Sequence, residues 1–375
     1  MRGRGKGEAG RVIRYLSRRM SVDAVLAGLE RAEPAALARA ISLVENRRDG
    51  FEQVLSRLHP RAGRARRIGI TGPPGAGKST LVDGLVRAFR AADLKVAVIA
   101  VDPTSPFTGG ALLGDRIRME SVSLDPGVFI RSMATRGSLG GLATTTEEVA
   151  DVLDAYGFDR ILVETVGVGQ TELDIARTAQ TTVLVLVPES GDGIQALKAG
   201  VMEIADVYVI NKADRPGADR LRQEIEVTLG LRRGHAFRHV RPHHAPPAPA
   251  AQPRTERGGE GRRGTERDGA GAPGAWEPPV LLAVASRGEG IAGLVEQLNR
   301  HQAYLEASGR REAWRRQRLA ERTRAVVERA VRRWVWDGTP AERLLAERLD
   351  AVAAGERSPY DVAAEIVDRV REGGA

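Results

Sequence analysis

The sequence predicts an α/β fold, in which a mostly parallel sheet is flanked by helices and extended by helical segments at both ends of the chain. Short aliphatic runs alternate with helical patterns through the middle of the chain, and Thr80–Arg90 is the first of these helices. Strands that alternate with helices pair in parallel and are covered on both faces, which explains why the runs are apolar throughout. The predicted strands are Arg67–Thr71, Lys95–Val101, Gly127–Arg131, Arg160–Glu164, Val183–Val187, Val207–Ile210 and Val280–Val284.

Helical patterns dominate the two ends of the chain. Residues 21–48 predict two amphipathic helices, and Arg310–Trp336 predicts one long Arg-rich helix. Four helical segments have a start signal, which is a hydroxyl residue, a proline or both. A hydroxyl side chain can cap a helix, and proline fits the first turn. The start signals are Ser21, Pro34, Thr339-Pro340 and Ser358-Pro359.

These patterns divide the chain into an N-terminal helical extension (1–60), an α/β domain (61–300) and a C-terminal helical region (301–375). Residues 232–276 interrupt the α/β domain and are rich in Gly, Pro and Arg. Such a segment buries too little apolar surface to fold, so it predicts a disordered insertion. Its four histidines could form a metal-binding tract, but we interpret them as solvated loop residues because their spacing implies no regular ligand geometry. They are His235, His239, His243 and His244.

Composition excludes several classes of protein. The chain has no Cys, which excludes disulfides, thiolate catalysis, Cys-bound zinc and iron–sulfur clusters. The net charge is +8, but the aromatic-poor insertion holds nine Arg and four acidic residues and so supplies 9 − 4 = +5 of it. Because a nucleic-acid partner requires charge on a folded face, we expect no nucleic-acid binding.

The hydropathy pattern predicts a protein without a membrane span. No apolar run approaches the ~20 residues that cross a bilayer. The basic N-terminus, MRGRGKGEAGRVIRYLSRRM, lacks the apolar region of a secretory signal, so we expect a cytoplasmic protein. Its Arg content leaves a transit peptide open, beside the simpler interpretation as an exposed tail.

Residues 72–79, Gly-Pro-Pro-Gly-Ala-Gly-Lys-Ser, form a phosphate-binding P-loop pattern between a predicted strand and a predicted helix. The glycines let backbone N–H groups converge on phosphate oxygens at a helix N-terminus. Lys78 would reach the β- and γ-phosphates; it is one of five Lys in a chain with 57 Lys and Arg. The predicted nucleotide contacts here are Gly72, Pro73, Pro74, Gly75, Ala76, Gly77, Lys78, Ser79 and Thr80.

A second motif, Asn211-Lys212-Ala213-Asp214, follows the predicted strand Val207–Ile210. It matches the Asn-Lys-x-Asp guanine element of GTPases. The Asp214 carboxylate can accept hydrogen bonds from the ring N–H and exocyclic amine of guanine, whereas adenine would leave it unpaired. We expect Lys212 to lie along the base and Asn211 to brace the loop.

Three acidic residues between the two motifs are candidate ligands for Mg²⁺. Asp102 and Glu164 end predicted strands, and Asp115 lies in the Gly-rich stretch 109–115. With the hydroxyl of Ser79 they would form a hard, oxygen-only metal site beside the P-loop. Each could instead be a helix cap or a turn former, and for Asp115 the two interpretations are equally open.

Further residues in this stretch are candidates for catalysis and switching. The backbone N–H of Gly167 could sense the γ-phosphate. Val168 follows where many small GTPases carry the Gln that orients water, so unassisted hydrolysis should be slow. Gln170 could take that role or be a surface Gln. Lys198 could approach the nucleotide or a partner, or be an exposed helical Lys.

Seven segments of the sequence occur in a characteristic order: GPPGAGKST, VDPTSP, GGALLGDRIRM, FIRSMATRGSLGGLA, VETVGVGQTE, GDGIQALKAGVMEIAD and NKAD. Together they closely resemble the methylmalonyl-CoA mutase-associated GTPases, the MeaB/MMAA-like proteins formerly called ArgK or LAO/AO transport kinases, in the G3E family of P-loop GTPases. The resemblance covers about residues 20–230 and 278–370.

The resemblance implies a P-loop GTPase that serves as a chaperone of adenosylcobalamin-dependent acyl-CoA mutases, gating cofactor loading and rescuing the inactivated enzyme. Cobalamin would be handled through the partner and not bound permanently. The resemblance also implies a homodimer built partly with the C-terminal helices. Trp334 and Trp336, on the last turn of the predicted long helix, could be anchors of such a dimer or could equally pack within their own chain. The phosphate and magnesium roles would fall to Lys78, Ser79, Asp102, Asp115 and Glu164.

The sequence departs from the family in the second guanine loop and in the long insertion. The loop usually has the pattern Ser-Ala-x-x-Gly, in which the backbone near the Ala contacts guanine. Here residues 284–288 are Val-Ala-Ser-Arg-Gly, so Ala285 is kept and its Ser neighbour is lost. Weaker guanine binding could follow.

Three other functions are open to such a chain. A G3E metallochaperone would need Cys or His ligands near the P-loop, and the absence of Cys argues against it. A kinase of a periplasmic amino-acid transport system would need an acceptor-binding domain, and none is visible. A binding module with an inactive nucleotide site is the third.

Overall fold

The computed structural model describes residues 21–102, 122, 124–134, 141–165, 171–188, 201–232 and 274–373. The chain divides into two compact units, Met1–Ser308 and Gly309–Ala375, which are described separately. The insertion prediction for 232–276 falls largely outside the described residues.

The first unit is built around a parallel sheet. Its described strands have the order β3-β2-β4-β1-β5-β6-β7, and every neighbouring pair is parallel. All seven predicted strands are present, with ends displaced by no more than three residues, so the predicted fold class is confirmed. The strands are β1 Arg66–Thr71, β2 Val96–Asp102, β3 Val128–Ala134, β4 Arg160–Thr165, β5 Thr181–Leu186, β6 Val207–Asn211 and β7 Val280–Ala283.

Helices cover both faces of the sheet. Alternate residues of β2 enter different cores, because side chains of a strand point alternately to its two faces. Ala97, Ile99 and Val101 pack with the N-terminal helices, and Val96 and Val98 pack on the opposite face. The described helices of this unit are α1 Val22–Glu30, α2 Pro34–Glu45, α3 Phe51–Leu58, α4 Lys78–Ala91, α5 Gly141–Tyr156, α6 Thr171–Thr178, α7 Val201–Ile204, α8 Ala218–Arg232 and α9 Ile291–Ala307.

The N-terminal helices begin where the sequence predicts. The side chain of Ser21 accepts a hydrogen bond from the N–H of Ala24, and Pro34 occupies the first turn of α2. Helix α3 was not predicted, although its apolar residues recur at helical spacing. Phe51, Val54 and Leu58 are all buried, so their packing stabilises a short helix.

The second unit consists of the helices α10 Arg310–Gly338, α11 Ala341–Ala353 and α12 Pro359–Gly373. Ser358 and Asp361 form a reciprocal capping box at α12: the Ser358 hydroxyl accepts from the Asp361 N–H, and the Asp361 carboxylate accepts from the Ser358 N–H. Thr339 accepts from the N–H of Ala341, but Pro340 holds the cap position of α11, one residue later than predicted. Within the described ranges, no helix is long and apolar enough to cross a membrane.

Trp276 anchors the segment that leads into β7. Its indole N–H donates to the carbonyl of Asp206 over 2.9 Å, and its ring lies 4.7 Å from that of His301 and 5.6 Å from that of Tyr304. In the sequence pattern, Trp276 falls at the end of the predicted insertion. Its contacts show that ordered packing on the first unit begins before Val280.

Candidate nucleotide site at the carboxyl edge of the sheet

The P-loop lies between β1 and α4, and close packing requires glycine at two of its positions, Gly72 and Gly77. Gly72 has φ +141° and Gly77 has φ +86°, a region that favours glycine. A Cβ atom on Gly72 would lie 2.0 Å from the carbonyl oxygen of Val185 in β5. A Cβ atom on Gly77 would lie 2.3 Å from the amide nitrogen of Asn211. The loop therefore packs directly against the strands that carry the rest of the site.

Lys78 begins α4 and crosses the inside of the loop. It is only 6% exposed, and its ammonium group donates to the carbonyls of Gly72 and Pro73 over 2.8 and 2.9 Å. A buried ammonium at the N-terminus of a helix creates a positive potential suited to phosphate. Pro74, Gly75 and the nearby Thr80 are exposed, so this part of the loop faces outwards.

Asn211, at the end of β6, ties the P-loop to the loop that follows β7. Its amide nitrogen donates to the carbonyl of Ala76 over 2.8 Å, and its amide oxygen accepts from the N–H of Ala285 over 3.0 Å. The neighbouring Lys212 donates to the carbonyl of Gly75 over 2.8 Å. The two predicted nucleotide motifs and Ala285 are thus brought to one edge of the sheet.

Asp214 lies at the rim of this edge and contacts Arg287, which was not among the predicted site residues. Its Oδ2 atom accepts from Nη2 of Arg287 over 3.0 Å, and the two side chains are 36% and 58% exposed. Arg287 also lies near Glu289, with 3.8 Å between Nη1 and Oε1. In the sequence, the only indication of this contact is that the second guanine loop, residues 284–288, contains a basic residue.

Two of the four candidate magnesium ligands, Ser79 and Glu164, contact each other next to the P-loop. The hydroxyl of Ser79 donates to Oε1 of Glu164 over 2.7 Å, and Glu164 is buried. Asp102 ends β2 at the same edge, since Ala100 pairs in register with Glu164. The described side chains of the whole chain include no group of three or more potential metal ligands of the His, Asp and Glu type.

Several predicted residues cannot be placed. The side chain of Asp102 lies outside the described residues. Four residues that were predicted for metal binding, catalysis or switching lie wholly outside the described residues: Asp115, Gly167, Gln170 and Lys198.

Comparisons with known proteins show the family of this chain. Residues 37–339 match the family model described as methylmalonyl-CoA mutase-associated GTPase MeaB. A protein of Pyrococcus abyssi named as a GTPase is 44% identical over 353 residues, which cover 94% of this chain and 98% of that protein. The GTPase ArgK of Escherichia coli is 32% identical over 335 residues, covering 88% of this chain and 91% of that protein.

A mammalian protein and a solved structure extend the likeness. The mouse protein named methylmalonic aciduria type A homolog, mitochondrial, is 34% identical over 305 residues, which cover 77% of this chain and 65% of that protein. The crystal structure described as LAO/AO transport system kinase superposes with a TM-score of 0.60 at 26% identity, covering 94% of this chain and 99% of that one. These matches confirm the resemblance drawn from the motifs: the chain is a P-loop GTPase and belongs to the family of methylmalonyl-CoA mutase-associated GTPases.

Proposed function

We propose that the protein is a GTP-hydrolysing chaperone of an adenosylcobalamin-dependent acyl-CoA mutase, such as methylmalonyl-CoA mutase. It would gate loading of the cofactor and protect or reactivate the mutase, and cobalamin would be handled through that partner. The family description supports association with such a mutase. The observation that carries the proposed nucleotide binding is the position of Asn211. Its side chain joins the guanine motif to the P-loop at Ala76 and to the loop after β7 at Ala285.

The described residues support distinct roles toward GTP. Lys78 would hold the β- and γ-phosphates, and the P-loop N–H groups would bind the phosphate oxygens. Asp214 would accept from guanine, with the backbone at Ala285 beside the base. Lys212, bonded to the P-loop carbonyl of Gly75, would lie along the base plane. Transfer of the γ-phosphoryl group to water would then yield GDP and phosphate.

Mg²⁺ fits the oxygen-only donors at this edge. The Ser79 hydroxyl and the Glu164 carboxylate are already within 2.7 Å of each other, and hard oxygen ligands suit Mg²⁺. Ser79, Asp102, Asp115 and Glu164 would hold the ion or its waters, and the ion would neutralise charge on the phosphate oxygens. Gly167, Gln170 and Lys198 would respond to the γ-phosphate. We propose that these residues contribute little to GTP hydrolysis until the mutase is bound, so that hydrolysis by the protein alone is slow.

The C-terminal unit supports a homodimer. Val327, Val331 and Trp334 are spaced four and three residues apart on α10, which places them on one helix face, and each is about half exposed. Trp336 is also partly exposed. Burial of these side chains against a second copy would remove apolar surface from water. Light scattering tests this: Val331→Ser with Trp334→Ser should give a monomer, whereas the exposed Arg343→Ser should leave the dimer intact.

GTPase assays with and without a cognate mutase test the main proposal. The full chain should hydrolyse GTP slowly alone and faster with the mutase, and activity should require Mg²⁺. Lys78→Ala should abolish turnover, whereas Lys95→Ala, which removes an exposed lysine at the start of β2, should not. Full turnover by Lys78→Ala would refute the site assignment, and failure of every mutase tested to stimulate would refute the chaperone role.

A second candidate follows from the name of the solved relative. Because that structure is described as a transport system kinase, transfer of phosphate to a transport protein is the alternative reaction. An assay with GTP labelled at the γ-phosphate separates the two: label released as phosphate supports the GTPase chaperone, and label on an added periplasmic amino-acid-binding protein supports the kinase. Fractionation of cells would test the expected cytoplasmic location.

A further inference from the structure

Arg287 contacts Asp214, the carboxylate that we propose binds guanine. It ends the short 3₁₀ turn Ala285–Arg287 that follows β7, and the first residue of this turn is held by Asn211. Gly288 and Gly290, with φ +74° and +82°, reverse the chain after it. The turn therefore has a fixed backbone position, while the exposed guanidinium group at its end can change rotamer at small cost.

The contact of Arg287 with Asp214 uses an atom that guanine would also use. A carboxylate that binds guanine accepts the ring N–H on one oxygen and the exocyclic amine on the other. In the structure Oδ2 of Asp214 accepts from Arg287 over 3.0 Å. Guanine, which offers both donors, would have to share Oδ2 with Arg287 or displace the arginine from it. Hypoxanthine, which offers only the ring N–H, needs only the other oxygen and can leave the Arg287 contact in place.

Glu289 gives the guanidinium group an alternative partner. Its Oε1 atom lies 3.8 Å from Nη1 of Arg287, whereas Asp214 contacts the other terminal nitrogen, Nη2. The arginine can therefore stay paired when Asp214 is occupied by a base. Both contacts are solvent-exposed ion pairs, which contribute little free energy, so the cation can exchange one carboxylate for the other at small cost.

We propose that Arg287 competes with the exocyclic amine of guanine for Oδ2 of Asp214 and thereby lowers the preference of the site for guanine over hypoxanthine. When guanine binds, the guanidinium group transfers to Glu289. This inference rests on the proposed guanine site. Since exposed ion pairs are weak, the competition changes affinity by about two- to fivefold.

Binding of GDP and IDP to the full-length protein tests the competition, because IDP lacks only the exocyclic amine and neither nucleotide is hydrolysed. Calorimetry at low salt should show that Arg287→Ala lowers the Kd for GDP by about two- to fivefold and changes the Kd for IDP less. Glu289→Gln should raise the Kd for GDP, because the arginine loses its alternative partner. Arg220→Ala, which removes an exposed arginine of α8, is the control and should change neither.

The outcomes separate this inference from the proposed function. Unchanged or reduced GDP-over-IDP selectivity in Arg287→Ala would overturn the competition while GDP binding itself still supported the guanine site. Absence of GDP binding by the wild-type protein would overturn both. Salt gives a second readout: in ~1 M salt, where exposed ion pairs are screened, wild-type selectivity should approach that of the variant. A salt-independent difference would contradict the ionic competition.

Discussion

Ala285 donates its backbone N–H to the side-chain oxygen of Asn211 over 3.0 Å. The nitrogen of the same amide donates to the carbonyl of Ala76, and Asn211 is only 3% exposed. One side chain at the end of β6 therefore satisfies a buried acceptor in the P-loop and a buried donor after β7. Neither backbone group has water as a ready substitute, so the position of each loop depends on the other.

Removal of this amide should weaken folding and nucleotide binding together. Asn211→Ala leaves the Ala76 carbonyl and the Ala285 N–H without their partner, and each such loss costs ~1–3 kcal/mol. Denaturant unfolding should show a loss of ~3 kcal/mol, and calorimetry should show weaker GDP binding. Asn46→Ala removes an amide that bonds within the end of α2, and it should leave GDP binding unchanged. Equal GDP affinity in both variants would contradict the proposed coupling.

Gly72 and Gly75, two of the three P-loop glycines with positive φ, should differ in their tolerance of alanine. Gly72→Ala places a Cβ atom 2.0 Å from the backbone oxygen of Val185, which cannot move without disturbing β5. At Gly75, with φ +74°, no atom lies within 4 Å of the added Cβ, so only the backbone strain of ~1–2 kcal/mol remains. Thermal unfolding should therefore show a clearly larger loss for Gly72→Ala. The reverse order would show that packing against β5 does not constrain the loop.

A buried ion-pair network holds the start of β1 to α5. Arg67 is 2% exposed and pairs with Asp151 and Asp154, and Asp154 also accepts from the backbone N–H groups of residues 63–65. Removal of one partner leaves an uncompensated buried charge, so Arg67→Ala should cost ~3–5 kcal/mol in denaturant unfolding. Arg220→Ala breaks an exposed pair of α8 and should cost less than ~0.5 kcal/mol. A similar cost for both would argue against the network.

Asp206 should make stability depend on pH. Burial raises the pKa of Asp206 to about 7, against the lowering effect of the hydrogen bond from the Thr182 N–H. The folded state then binds more protons than the unfolded state between about pH 4 and pH 7, so this residue destabilises the fold increasingly as pH rises through that window. The titratable group facing this carboxylate is His301, whose Nε2 atom lies 3.4 Å from Oδ1 of Asp206.

Asp206→Asn tests this dependence, because an amide oxygen can still accept from Thr182 but carries no charge. From pH 5 to pH 8, the midpoint temperature of unfolding of Asp206→Asn should rise relative to that of the wild type. Asp219→Asn, on the exposed start of α8, serves as the matched control, and its difference from wild type should stay constant. A wild-type-to-Asp206→Asn difference that does not vary with pH would contradict the raised pKa.

Much of the site could be predicted because its motifs are contiguous in the sequence. Gly72–Ser79 and Asn211–Asp214 each specify a loop after an apolar strand, and parallel strands bring such loops to one edge. The contact between Arg287 and Asp214 could not be predicted, since the two residues are 73 positions apart in sequence and depend on side-chain direction. The role of Trp276 was missed for the same reason: its partners, Asp206 and His301, are distant in the chain.

The sequence by itself determined which apolar runs become strands, the helix starts at Ser21 and Pro34, and the phosphate and base motifs, because local propensity and spacing specify them. Only the tertiary structure decided that Asn211 bridges two loops, that Lys78 is buried against the P-loop carbonyls, and that Arg287 contacts the base-reading carboxylate. Those relationships arise when β5, β6 and β7 pair beside β1. No local pattern encodes a hydrogen bond between residues whose proximity depends on the assembled sheet.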